Sequence, residues 1–214
     1  SLVDIDIYDR IEDFFPLLKQ QEHNQIIEKV YQLSSVKKSA KTINTAINRA
    51  AKVVFALKSY ARYDDSGEKV KSQITNEIET VLTLYHNQLK HGVEVIRNYE
   101  EVDSIYCYPD ELNQVWTNII HNSLQAMKNM GKLEINVKQR EEQVLVSITD
   151  SGEGIAPEIK EKIFTPFFTT KPTGEGSGMG LDIVKRIVDK HQGNITVASV
   201  PGQTTFTISL PINP

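Results

Sequence analysis

Between residues 110 and 181 four short motifs follow in one order: Asn118-Ile-Ile-His-Asn122, Asp150-Ser-Gly152-Glu-Gly154, Phe164-Thr-Pro-Phe167-Phe168 and Gly176-Ser-Gly178-Met-Gly180. They set amides, a carboxylate, aromatics and glycines among apolar segments long enough to form a core. A fold that buries those segments must leave these polar groups a common cleft or a common surface. Each motif alone is weak; the order and spacing of all four are the constraint.

The two ends of the chain have different periods. Residues 1–66 lack strand-like alternation. From Val36 to Arg62 the residues Ile43, Ile47, Ala50, Val54, Leu57 and Ala61 recur at steps of four and three, the seam of a bundle or coiled-coil helix. A shorter amphipathic stretch covers Ile26–Tyr31, Pro16 sets a boundary in the opening segment, and Asp64-Asp65-Ser66-Gly67 reads as the linker. Beyond it the spacing predicts helices over Ile74–Lys90, Asp110–Asn129 and Met179–His191, with Asp110 as an N-cap. Strands are expected at Val93–Arg97, Ser104–Tyr108, Lys132–Gln139, Gln143–Thr149, Asn194–Ser199 and Thr204–Leu210, with hairpin turns at Arg140-Glu141-Glu142 and Pro201-Gly202. Residues 67–214 therefore read as α+β, helices on one face of a mixed sheet, preceded by a helical region in residues 1–66.

The motifs carry chemistry at these positions. Asn118 and Asn122 share a helix face with Gln125, a polar stripe that either meets solvent or meets a ligand. Asp150 closes the apolar strand Val144–Ile148, where its carboxylate can accept from the adenine 6-amino group or simply end the strand in an Asx turn. Gly152 and Gly154 let the backbone turn and approach a base. Phe164, Phe167 and Phe168 lie before the glycine-rich stretch, so some pack in the core while the segment forms a lid. Lys171 is placed to meet a phosphate or to remain in solvent. Gly176, Ser177, Gly178, Met179, Gly180 and Leu181 lead into a helix, and free amides at such an N-terminus form an anion cradle. No Gly-Lys-Ser/Thr follows, so this is not a Walker loop. A Phe/Pro/Thr loop rather than a buried strand precedes it, which argues against a dinucleotide-binding turn.

These four motifs resemble the N, G1, F and G2 boxes of sensor histidine kinases, within the ATPase group that includes gyrase, Hsp90 and MutL. The resemblance covers roughly residues 70–212. It implies a two-layer α/β sandwich of the Bergerat type preceded by part of a dimerisation hairpin. It further implies ATP and Mg²⁺ as cofactors, Asn122 as metal ligand, and Asn118 and Asn122 as catalytic residues. Asp150, Gly152, Gly154, Phe164, Phe168, Lys171 and residues 176–181 are then the nucleotide contacts. The implied reaction moves the ATP γ-phosphate to a histidine for relay to a response regulator receiver domain, from a homodimer joined through the hairpin. Where gyrase-like enzymes carry a glutamate, this chain has Asn118; an amide is no base, so hydrolysis is disfavoured. None of His86, His91, His121 and His191 stands in an acceptor context, and His23 lacks the expected neighbours. The acceptor is expected upstream of Ser1. Rival readings are an ATPase or serine kinase of this fold, or a non-catalytic ATP-binding module.

Bulk properties narrow the class. A net charge of -4, with no Lys/Arg cluster, argues against a nucleic-acid partner. The single cysteine, Cys107, excludes an internal disulfide and fits a reducing, cytoplasmic compartment. No apolar run reaches the length of a membrane span, which leaves open whether a longer parent is anchored.

Overall fold

The computed structural model describes residues 25, 28–40, 42–43, 46, 68–171 and 176–213. The chain divides into two units, Ser1–Ala61 and Arg62–Pro214. In the first, residues 28–40 are helical, and Val30, Tyr31, Leu33 and Val36 are exposed. Of the expected seam only Ile43 is described, and it too is exposed. Ile47, Ala50, Val54, Leu57, Ala61, Pro16, His23 and the linker at 64–67 lie outside the described residues, as do Ile26 and Ile27.

The second unit runs β1 (Val70–Ser72), α1 (Ile74–Leu84), α2 (His86–Leu89), β2 (Val93–Tyr99), β3 (Ile105–Cys107), α3 (Pro109–Ala126), β4 (Gly131–Arg140), β5 (Gln143–Asp150), a short 3₁₀ turn at Pro157–Ile159, α4 (Gly180–Lys190), β6 (Asn194–Val200) and β7 (Gln203–Pro211). Five strands make one sheet in the order β2-β4-β5-β7-β6. Only β2 and β4 pair in parallel, with α3 lying in the crossover between them. Strict alternation sorts the central strands: Val144, Val146 and Ile148 of β5 and Phe206, Ile208 and Leu210 of β7 point into the core. On the opposite face hydroxyls meet across strands, Ser147 with Thr207 at 3.1 Å and Thr149 with Thr205 at 2.9 Å. The helices therefore cover one face and the other stays polar, which is the two-layer expectation.

Helix α3 is the spine of the helical layer. Leu112, Val115, Trp116, Ile119, Ile120 and Leu124 recur every three or four residues and are all buried, and α1 and α4 pack along its sides. Several local expectations need correction. Asp110 is not the N-cap: Pro109 occupies the first helical turn, where its missing N–H costs nothing, and Asp110 and Glu111 face the positive end of the helix dipole from inside that turn. The expected Ile74–Lys90 helix breaks at Tyr85 into α1 and α2. Its hydrophobic period continues across the break because Tyr85 and Leu89 still pack on the core. Helix α3 stops at Ala126 rather than Asn129, since Lys128 and Asn129 take left-handed backbone angles. Strand β1 was not anticipated. Three residues are too few to show a period, and only pairing with β3 makes them a strand.

One buried histidine ties the ends of two helices. His191, just past α4, accepts the Tyr108 N–H on Nε2 at 3.1 Å, while its Nδ1 lies 2.8 Å from the Ile187 carbonyl. The two contacts together define the neutral Nδ1–H tautomer, which donates to that carbonyl. Burial pushes its pKa below the ordinary histidine value, and protonating Nε2 would cost the Tyr108 bond. A depressed folded pKa means that only the unfolded chain takes up this proton once pH falls below the usual histidine range. Stability is thus full above that range and lost as pH falls through it. Urea unfolding followed by the fluorescence of Trp116 should show an acid-side slope to which His191 contributes at most about 1.4 kcal/mol per pH unit. His191→Gln should be less stable at neutral pH but lose this component of the slope.

Candidate functional site

The functional motifs converge because strand register and helix rotation each leave little choice. Asp150 stands on the inward parity of β5, next in line after Val144, Val146 and Ile148, so its carboxylate is carried under α3 and is 2% exposed. There Oδ2 accepts the Ser123 hydroxyl at 2.9 Å and Oδ1 accepts the Gly152 N–H at 3.0 Å. Burial raises the Asp150 pKa, and the two hydrogen bonds pull it back. Neither donor is charged. The result is a buried carboxylate with no salt bridge among the described residues, an arrangement that costs desolvation energy.

One residue before Ser123, Asn122 leaves α3 on the less buried side. Its Oδ1 accepts from the Lys171 ammonium at 3.4 Å, and the same Nζ donates to Gln125 Oε1. Two amide oxygens therefore converge on one cation. Hard, neutral oxygens with room for phosphate oxygens and water are what Mg²⁺ accepts. Among the described residues no group of three His, Cys, Asp or Glu could hold a metal instead. The two amide oxygens are of the donor type that magnesium accepts. Gln125, one turn beyond the expected ligand, joins the site through this contact. Asn118 donates its Nδ2 to the Gln114 carbonyl at 3.0 Å, and its Oδ1 faces Gly180 at the start of α4.

The aromatic and glycine motifs interlock. Phe164 and Phe168 are half-buried against the core, whereas Phe167 is exposed with φ +65°. Gly178, φ +67°, lies so close that a Cβ there would fall 2.3 Å from the Phe167 carbonyl carbon. The turn that opens the anion cradle is thus seated on the aromatic motif's backbone, and only glycine permits the contact. Ser177 Oγ accepts the Met179 N–H at 3.4 Å, and Leu181 packs on the core. Gly176 is described, while residues 172–175 are not. At the opposite rim Gly154, φ +86°, touches the Val200 carbonyl, and Ser199 Oγ accepts the Ile155 N–H at 2.8 Å. The turn after Asp150 is therefore fastened to the β6–β7 hairpin.

With that geometry in view, the sequence profile of the family described as histidine kinase-, DNA gyrase B- and HSP90-like ATPase matches residues 107–214. The chain belongs to that family. It carries a histidine kinase catalytic domain. It is similar to the signal transduction histidine-protein kinase AtoS of Escherichia coli (strain K12), 36% identical over 207 residues, which is 95% of this chain and 32% of AtoS. The chain thus spans about a third of that relative's length. Among solved structures, the nucleotide-free catalytic domain of histidine kinase ThkA superposes with a TM-score of 0.64 at 30% identity, covering 69% of this chain and 98% of that one. ThkA in complex with the response regulator TrrA shares the fold over 97% of this chain and 65% of that one, with a TM-score of 0.67 at 21% identity.

Gly178→Ala and Gly202→Ala separate the interlock from ordinary backbone cost. Both glycines have positive φ, but nothing lies within 4 Å of a Cβ at Gly202. Gly202→Ala should cost about 1 kcal/mol in thermal unfolding and leave ligand binding intact. Gly178→Ala should cost about 1–3 kcal/mol and disrupt the cradle, weakening nucleotide binding at least about tenfold. Equal effects of the two substitutions would contradict the interlock.

Proposed function

We propose that residues 67–214 bind Mg²⁺-ATP and transfer its γ-phosphate to a histidine, from which it passes to an aspartate on a response regulator receiver domain. The observation that carries this reading is the buried Asp150 carboxylate, bonded by the uncharged Ser123 and Gly152 donors, on a strand packed against the helix that bears Asn122 and Gln125. In this reading the carboxylate would accept the amino group of adenine, and the Asn122 and Gln125 amide oxygens would meet the cation of a metal-bound nucleotide. The amides that open α4 are suited to phosphate.

In this reading Asp150 and the Gly152–Gly154 turn hold adenine, and guanine is rejected because its carbonyl would face a carboxylate. Asn122, with Gln125 beside it, would hold Mg²⁺, which supplies neutralisation of the phosphate charge when bound. With a metal held by these amides, the Lys171 ammonium would be available to the phosphates. Phe164 and Phe168 anchor the segment that covers the nucleotide, and residues 176–181 orient the phosphates in line with an acceptor. Asn118 is tied to the Gln114 carbonyl and has no basic group to take a proton from water, so phosphoryl transfer to an imported nucleophile is favoured over hydrolysis.

The helical region in residues 1–66 would supply the second helix of a dimerisation hairpin whose first helix carries the acceptor histidine. The named relatives support this reading: AtoS is called a histidine-protein kinase, and ThkA was solved with a response regulator.

Calorimetry should find Mg²⁺-dependent ATP binding and at least tenfold weaker GTP binding; equal affinities would remove Asp150 as the adenine acceptor. Asn122→Ala should erase most of the magnesium dependence while leaving metal-free ADP binding nearly unchanged. With labelled ATP, this chain alone should gain no acid-labile phosphate. It should label a longer partner carrying the acceptor helix. Label on His23, lost in His23→Gln, would relocate the acceptor into this chain.

A further inference from the structure

We propose that Ser123 is the positioning residue that sets adenine selectivity, by holding the Asp150 carboxylate in its acceptor-only form and in fixed orientation. The proposal rests on Asp150 as the adenine acceptor. Ser123 is 1% exposed, sits one residue after Asn122, and spends its single proton on Asp150 Oδ2 at 2.9 Å. A hydroxyl has one hydrogen to give, so this bond fixes which way the carboxylate lies. Gly152 N–H fixes the other oxygen at 3.0 Å. Of the roughly four lone-pair sites on a carboxylate, about two stay open to a ligand.

The chemistry of discrimination depends on charge. An ionised Asp150 accepts only, which suits the two N–H bonds of an exocyclic amine. A protonated Asp150 could donate to a guanine carbonyl, and the difference between the bases would shrink. Ser123 and Gly152 are the two donors acting against burial at this carboxyl, and no charged side chain contributes to its shift. Gly152 gives a backbone bond that any residue could supply. Ser123 alone supplies its bond through a side chain, and it does so from the helix that carries the metal seat. The serine thereby links the adenine end and the phosphate end of the cleft in one rigid frame, indexing α3 against β5.

The test is the ratio of ADP to GDP affinity, measured by calorimetry on this chain from pH 7.5 downward. The two nucleotides carry the same phosphates, so phosphate titration cancels in the ratio. The wild-type ratio should fall as pH drops through the Asp150 titration. Ser123→Ala should lower the ratio about tenfold at pH 7.5, as expected for a lost hydrogen bond to a charged group, and move its fall to higher pH. Ser123→Thr, which keeps the hydroxyl, should restore both, with unchanged Trp116 fluorescence reporting an intact core in each variant. A ratio and pH profile in Ser123→Ala identical to wild type would overturn the proposal. So would Ser123→Thr behaving like Ser123→Ala, since that would make the role one of size. A wild-type chain that binds neither nucleotide would overturn the ATP reading itself, an outcome distinct from these two.

Discussion

Burial of one face of α3 is the constraint on which the site depends. Trp116, Ile119, Ile120 and Leu124 are at most 1% exposed, so the helix cannot rotate without pulling large apolar groups into water. Such burial stabilises by roughly 1.5–3 kcal/mol per side chain. With rotation fixed, Asn118, Asn122 and Gln125 are held on the less buried side of the helix. Ser123 falls between the two faces and reaches down to Asp150. The polar residues need no stabilising interactions of their own to be aimed; the core aims them.

The rims of the cleft are built from contacts between motifs far apart in the chain. Gly178 rests on the Phe167 backbone, Gly154 on the Val200 carbonyl, and Ile155 on the Ser199 hydroxyl. The two glycine contacts have almost no tolerance, because a single added carbon would overlap backbone atoms. The floor is rigid for a different reason, since both oxygens of the buried carboxylate are already engaged.

Farther out, α4 joins cradle to scaffold. Its N-terminus opens the glycine cradle, and its C-terminus ends in buried His191, bonded to the Tyr108 amide at the base of α3. Lys190 adds an ion pair to Glu111 at 2.7 Å and lies 4.6 Å from the centre of the Tyr108 ring. Both partners are mostly shielded, so this pair is worth more than an exposed surface bridge. The C-terminus of α4 is thus pinned to the N-terminus of α3.

Local pattern was enough to expose the α+β layering, nearly every strand, the three long helices and the four motifs, because periods of two and 3.6 and the glycine clusters are local properties of the chain. The sequence determined by itself that Asp150 shares the inward parity of β5, that Asn118, Asn122 and Gln125 share a helix face, and that a glycine turn opens α4. It could not show β1, which is a strand only because β3 lies beside it, nor the break at Tyr85, nor that Pro109 rather than Asp110 begins α3. Only the tertiary structure decided that Ser123 bonds Asp150, that Lys171 sits on Asn122 and Gln125, and that His191 locks α4 to Tyr108. These contacts join residues between 27 and 83 positions apart. Nothing in the spacing of a chain specifies which distant side chain its core will bring into hydrogen-bonding distance.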